Sequence, residues 1–313
     1  MGDVVHSTGG DTLGKKLMLI ASWAVLVLAA LVTALVASVY AEGRQKHGRP
    51  QYVAMGSSFA AGPAITERAE NSPWFCWPSR DNYAHQLARM TGLSLVDMSC
   101  GGATTKDILE GGLAMLPPQI GAVTEETELV TVTIGGNDIG YLGNLMAMSC
   151  DSTTPWYLSA IGACRIRSAE QMERDLPKLG EHLVAIIDEV RRRAPRARIV
   201  LLNYQTILPQ SGTCERLGLS SEQVDLMRGI AAKLAGTTDA VAKAHGALLF
   251  DAMRLSQDHD VCAREPWING MHPPGGLLGA PLHPNLAGMT ATAEGLSALL
   301  GASASGRSGS MAQ

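Results

Sequence analysis

Four short segments carry residue types that together could perform acyl transfer from an ester: Gly56-Ser57-Ser58-Phe59, Gly101-Gly102-Ala103-Thr104, Gly135-Gly136-Asn137-Asp138 and His283-Pro284-Asn285. A serine hydroxyl is a weak nucleophile that needs an adjacent base, and Ser58 with His283 would supply that pair. The tetrahedral intermediate carries an oxyanion, and each fixed donor aimed at it is worth about 10²–10³ in rate. The backbone N–H groups of Ser58 and Gly102 and the side-chain amide of Asn137 are three candidate donors. Glycine at 102 lets the backbone approach a substrate closely. Singly, each signal is weak. A lone serine here could simply cap the next helix, Gly-Gly-Asn-Asp is a common turn sequence, and a histidine before proline could sit on the surface. Their joint order points to one site.

The elements that would position these residues follow from hydrophobic periodicity. Strands are predicted at Gln51–Met55, Ser94–Met98, Leu129–Ile134, Ile199–Asn203 and Ala247–Phe250. Helices are predicted at Asp81–Met90, Ala169–Arg193, Ser220–His245 and Asn285–Leu300. Alternating strands and helices predict a five-stranded parallel sheet covered on both faces, a three-layer α/β/α architecture. Ligands of such sheets bind beyond the carboxyl ends of the strands. Ser58, Gly102 and Asn137 each follow one of the first three strands, so those strand ends would converge on one crevice.

The chain has 313 residues, 46% hydrophobic and 17% charged, which suits a substantial core and excludes disorder by composition. A net charge of −4 gives no basic footprint, so no nucleic-acid partner is expected. Leu17 to Ala41 contains no charged residue and follows Lys15-Lys16. As a helix it would span roughly 37 Å, enough to cross a bilayer, with the lysines favouring a cytoplasmic N-terminus. Its length favours a retained transmembrane anchor over a cleaved signal peptide, although Val39-Tyr40-Ala41 would serve as a cleavage site. Either way the remainder is expected outside the cytoplasm, membrane-bound or secreted. The division reads as a cytoplasmic stub (1–16), the apolar segment (17–41), a polar linker (42–50), one catalytic domain (51–300) and a Gly/Ser/Ala-rich flexible tail (301–313). A monomer is expected.

All six cysteines, Cys76, Cys100, Cys150, Cys164, Cys214 and Cys262, follow the apolar segment. An even count in an exported domain suits up to three disulfides, with the pairing open. No pair has C-x-x-C spacing, so neither a metal nor another cofactor is expected.

Here the chain resembles the SGNH, or GDSL, hydrolases, from Gln51 to about Leu300. Gly56-Ser57-Ser58-Phe59-Ala60-Ala61-Gly62 matches their first block and Ser99-Cys100-Gly101-Gly102-Ala103-Thr104-Thr105 their second. Gly135-Gly136-Asn137-Asp138 matches the third and His283-Pro284-Asn285-Leu286-Ala287-Gly288 the last. The resemblance implies a flavodoxin-like fold, Ser58 as nucleophile, His283 as base and an oxyanion hole of Ser58, Gly102 and Asn137. The cysteine-bearing second block looks most like the secreted actinobacterial lipase and esterase branch. That likeness implies the pairs Cys76–Cys100, Cys150–Cys164 and Cys214–Cys262, and an ester or lipid substrate.

Two departures stand out. Ser57 replaces the usual Asp of the first block, a residue that supports the turn. Ala280 occupies the position three before the histidine where the family usually carries the triad Asp. Some members of the branch use a backbone carbonyl there, so the Ala280 carbonyl is expected to orient His283, giving a Ser–His dyad. Asp251, Asp258 and Asp260 are weaker candidates, and His272-Pro273 is a decoy without the following Asn. Trp74, Phe75 and Trp77 flank Cys76 and would either pack around a disulfide or line an acyl pocket. Met146 and Met148 read as core, and Arg191–Arg193 as a solvated helix end. The leading reading is a serine esterase or lipase. An acyltransferase using the same residues, and an inactive surface binding module, are the alternatives.

Overall fold

A computed structural model describes residues 10–43, 48–70, 72–73, 75–150, 154–160 and 162–310. In chain order it contains helix α1 (Gly10–Gly43), strand β1 (Tyr52–Gly56), α2 (Ser58–Ala61), α3 (Tyr83–Thr91), β2 (Leu95–Asp97), α4 (Thr105–Leu109) and β3 (Leu129–Thr133). There follow α5 (Tyr141–Met148), α6 (Trp156–Ala160), α7 (Ala169–Arg193), β4 (Arg198–Leu202), α8 (Ser221–Ala244), β5 (Leu248–Phe250), α9 (Ala252–Leu255) and α10 (Leu286–Ser310). Short 3-10 turns lie at Leu113–Met115, Gln119–Ala122 and Gly276–Gly279.

The five strands form one parallel sheet in the order β2-β1-β3-β4-β5. Tyr52 stands beside both Leu95 and Leu129, Leu129 beside Arg198, and Val200 beside Leu248. The strand order reverses direction at β1, so the crevice between β1 and β3 is the topological switch point at which such sheets bind ligands.

Successive strand residues face opposite layers. On one face Val53, Met55, Val130, Val132, Ile199 and Leu201 pack in one cluster with Leu183, Ile187 and Val190 of α7 and Met227 and Leu234 of α8. On the other, Tyr52, Ala54, Leu129 and Val200 pack with Tyr83 and Leu87 of α3 and Met289, Ala293 and Leu296 of α10. This double coverage explains why every residue of β1 and β3 is buried. Both long helices of the first face open with a reciprocal capping box, Ser168 with Gln171 and Ser220 with Gln223. Arg192 and Arg193 at the end of α7 share the carboxylate of Glu189 at 2.6–2.7 Å, and Met146 and Met148 pack partly buried against the main core.

Disulfides join Cys76–Cys100, Cys150–Cys164 and Cys214–Cys262. They secure the long connections that periodicity leaves irregular. The apolar segment is a helix whose stretch Lys15–Ser38 has a mean hydropathy of 2.6 and contains no buried residue.

Three boundaries differ from the expected ones. Helix α1 begins at Gly10 and ends at Gly43, taking in part of the expected stub and of the linker. Residues 1–9 and 44–47 lie outside the described residues. Farther along the linker, Arg49 pairs with Glu126 at 2.6 Å. Helix α10 continues through Ser310 instead of giving way to a flexible tail at 301. No proline interrupts this Ala/Ser/Gly run, so backbone hydrogen bonding can extend the helix although Gly301 and Ala302 are exposed. Residues 311–313 lie outside the described residues.

Candidate active site

Ser58 opens α2 directly after β1. The turn is possible because Gly56 has φ +152° and no side chain; a Cβ there would come within 2.4 Å of the Thr133 carbonyl oxygen. Gln119, buried beside it, donates through Nε2 to the Gly56 carbonyl at 3.0 Å and accepts the Gly56 N–H at 2.8 Å. Ser57 donates its N–H to Thr133 at 3.0 Å. The end of β1 is thereby held from both sides, which places Ser58.

Ser58 and His283 are 225 residues apart in sequence, and both are buried. His283 Nε2 lies 2.7 Å from Ser58 Oγ, and Nδ1 lies 2.8 Å from the Pro281 carbonyl oxygen. A carbonyl oxygen only accepts, so Nδ1 carries the ring proton and Nε2 is the free base that accepts from the serine hydroxyl. Burial lowers the histidine pKa to about 4, and the Pro281 carbonyl opposes this by favouring the charged form. At neutral pH the ring is unprotonated, the state in which Nε2 can accept a proton.

The orienting carbonyl is therefore Pro281, not Ala280. Ala280 and Leu282, on either side, both adopt left-handed backbone, with φ +52° and +57°. This double reversal turns the Pro281 carbonyl toward the ring. The Ala280 carbonyl instead accepts the His283 backbone N–H at 3.3 Å and the Asn269 side-chain amide at 3.2 Å. The neighbouring 266–269 segment holds the turn: Asn269 N–H donates to the His283 carbonyl at 2.9 Å, and Asn285 N–H to that of Trp267 at 2.8 Å. Asn285 Oδ1 then accepts the Gly288 N–H at 3.1 Å, at the start of α10.

None of the three aspartates near in sequence reaches the ring. Asp251 caps α9 and accepts from Asn203 Nδ2 at 2.9 Å. Asp260 accepts the Cys262 N–H at 2.7 Å. Asp258 is exposed. His272 is exposed as well.

The oxyanion candidates sit on the neighbouring turns. Gly102 has φ +82° and open space where a Cβ would be. Neither its N–H nor that of Ser58 has a hydrogen-bond partner among the described residues. Asn137 donates through Nδ2 to the Ala103 carbonyl at 2.9 Å, which ties it to the turn containing Gly102 and leaves its second amide hydrogen. Asp138 accepts from the Thr105 N–H at 3.1 Å and from the Thr105 hydroxyl, and that hydroxyl also contacts His182 Nδ1 at 2.7 Å. Burial raises the Asp138 pKa, and the Thr105 hydrogen bonds counter that rise. The second and third turns are thus clasped at two points.

Sequence reasoning missed three supports: Gln119, Thr105 and Tyr204. The Tyr204 hydroxyl accepts the Gly136 N–H at 2.8 Å and lies 3.3 Å from Ser57 Oγ. Its ring packs 4.7 Å from Phe59, which in turn lies 5.2 Å from the His283 ring. Thr105 sits in a quoted block and could have been noticed, whereas nothing in the local sequence marks Gln119 or Tyr204. Phe75 and Trp77, on either side of Cys76, are 43% and 40% exposed, and Trp74 lies outside the described residues.

Residues 54–291 match the model of the GDSL-like lipase/acylhydrolase family. Lipase 2 of Streptomyces coelicolor is 31% identical over 278 residues, 85% of this chain and 90% of its own. A lipase of Streptomyces rimosus is 29% identical over 221 residues, 70% of this chain and 76% of its own. The crystal structure of an extracellular lipase from Streptomyces rimosus superposes with a TM-score of 0.65 at 25% identity, covering 79% of this chain and 98% of that one.

Proposed function

The chain belongs to the GDSL-like lipase/acylhydrolase family and is a carboxylic ester hydrolase, and we propose that it works through a Ser58 acyl-enzyme with His283 as general base. The observation that carries this reading is the 2.7 Å contact between Ser58 Oγ and a His283 ring whose other nitrogen is committed to Pro281.

In this mechanism Ser58 Oγ attacks the ester carbonyl while His283 Nε2 takes its proton. The Ser58 and Gly102 N–H groups and the free Asn137 amide hydrogen stabilise the oxyanion. The imidazolium keeps its Nδ1 proton on the Pro281 carbonyl and gives the Nε2 proton to the departing alkoxide oxygen. Water then attacks the acyl-enzyme, again losing a proton to Nε2, and the carboxylic acid leaves as Ser58 recovers its hydrogen. A neutral carbonyl does for the ring what a triad carboxylate would do: it fixes the tautomer and solvates the transient cation.

Substrates are esters or lipids, as in the lipases it resembles. The domain 51–300 is proposed to act outside the cytoplasm, where its disulfides persist, with α1 retained as a membrane anchor. Ser58→Ala should abolish hydrolysis of p-nitrophenyl butyrate while leaving thermal unfolding nearly unchanged; undiminished turnover would refute the assignment.

A further inference from the structure

The turn at residues 135–139 follows β3 and carries Asn137. Three residues of α7 brace it, Asp175, Leu179 and His182, whose spacing of i, i+4 and i+7 puts them on one helix face. Asp175 pairs with Arg167, whose Nη1 donates to the Ile139 carbonyl at 2.8 Å. Leu179 lies against Gly135, where a Cβ would come within 2.9 Å of both of its methyl carbons. His182 Nδ1 lies 2.7 Å from Thr105 Oγ1, and that hydroxyl is bonded to Asp138.

The contact at His182 differs from the other two because it joins both oxyanion turns. Thr105 is fully buried and opens α4, three residues after Gly102. Its backbone N–H donates to the two Asp138 oxygens at 3.1 and 3.2 Å, and Asp138 directly follows Asn137.

Donor counting sets the direction of each bond. A threonine hydroxyl carries one hydrogen, and an ionised carboxylate only accepts. The Thr105 hydrogen therefore goes to Asp138, which leaves Oγ1 to accept from a His182 ring protonated at Nδ1. The chain runs from His182 Nδ1–H through the Thr105 hydroxyl to the Asp138 carboxylate, each bond polarising the next. Burial raises the Asp138 pKa, while the Thr105 hydrogen bonds and the His182 charge act against that rise and favour the accepting, ionised form.

We infer that His182 is a positioning residue for the oxyanion hole: through Thr105 and Asp138 it fixes the spacing between the Gly102 N–H and the Asn137 amide. The inference rests on the ester-hydrolase mechanism proposed above. Misplacing a catalytic group by about 1 Å can cost on the order of 10²-fold in rate. An oxyanion donor acts mainly in the transition state, so the loss belongs in kcat rather than in KM.

The full chain tests this with p-nitrophenyl butyrate. His182→Leu and Thr105→Val should each lower kcat about tenfold and leave KM within about twofold. His182→Asn and Thr105→Ser, which keep a donor near Nδ1 and a hydroxyl at Oγ1, should stay within about threefold of the unmodified chain. In an Asn137→Ala background His182→Leu should cost about threefold or less, since much of its effect passes through a donor already removed. Three outcomes would overturn the inference: a loss undiminished in that background, conservative variants as impaired as the apolar ones, or no loss in any variant.

The ring proton gives a readout that needs no catalysis. Nitrogen NMR with isotope-labelled histidine, at mildly alkaline pH, should show an Nδ1–H ring that is missing in His182→Asn and reverts to Nε2–H in Thr105→Val. An Nε2–H ring at His182 in the unmodified chain rejects the hydrogen-bond chain. If the unmodified chain hydrolyses no ester, the hydrolase reading fails while the tautomer still decides the His182 arrangement.

Discussion

The Tyr204 hydroxyl accepts the backbone N–H of Gly136 at 2.8 Å, joining the end of β4 to the turn that presents Asn137. The same oxygen lies 3.3 Å from Oγ of Ser57, the residue before Ser58. Burial pushes the Tyr204 pKa up to about 12, so the hydroxyl stays protonated and can donate to Ser57 while accepting from Gly136. Ser57, which departs from the usual Asp, is thus part of a clasp between the turns that carry Ser58 and Asn137.

Tyr204→Phe removes that clasp and leaves the buried Gly136 N–H without an acceptor, a loss of about 1–3 kcal/mol in stability. We expect kcat on p-nitrophenyl butyrate to fall about tenfold with KM little changed, because the turns would still form but the donors would be less well aimed. Combined with Ser57→Ala, the effect on kcat should be less than the product of the two single effects, as for residues sharing one interaction.

Asn137→Ala should lower kcat by about 10²–10³ while moving KM little, since the oxyanion develops only toward the transition state. Steady-state kinetics with a soluble ester decides this; a rise in KM alone would mean that Asn137 binds the ground state.

The acid limb of kcat/KM should lie well below the ordinary histidine range. His283 must be unprotonated to accept from Ser58, and burial lowers its pKa to about 4, so kcat/KM should hold at pH 6 and fall as pH drops through about 4. Stability follows the same direction. The unfolded chain binds this proton near pH 6.5, so the residue's contribution is fully present above that pH and is lost as pH falls through about 4. Initial rates and thermal melts across pH 3.5–7 measure both; an acid-limb midpoint at 6 or above would contradict a buried, neutral base.

Replacing Asp251, Asp258 or Asp260 singly by Asn should leave kcat/KM within a few-fold. Asp251 and Asp260 serve local backbone and side-chain donors, so their loss should appear in Tm instead. A fall near 10⁴-fold, the scale of removing a triad acid, would identify one of them as the orienter in place of Pro281.

Much of this protein is decided by short-range residue chemistry. Strands β1, β3 and β4 need β-branched and aliphatic runs, α7 and α8 need their capping boxes, and Gly56 and Gly102 need conformations that few other residues accept. These preferences act within a few residues, so they place Ser58, Gly102 and Asn137 after successive strands and bring His283 just ahead of α10 without reference to the rest of the chain. The orienting carbonyl is different. Ala280 and Pro281 differ by one peptide unit, and which of them faces the ring depends on left-handed backbone at 280 and 282, which docking against residues 266–269 helps to hold. Tyr204 and Gln119 likewise carry no local signature. Their roles come from which turn they reach across the strand ends, and only tertiary packing sets that distance.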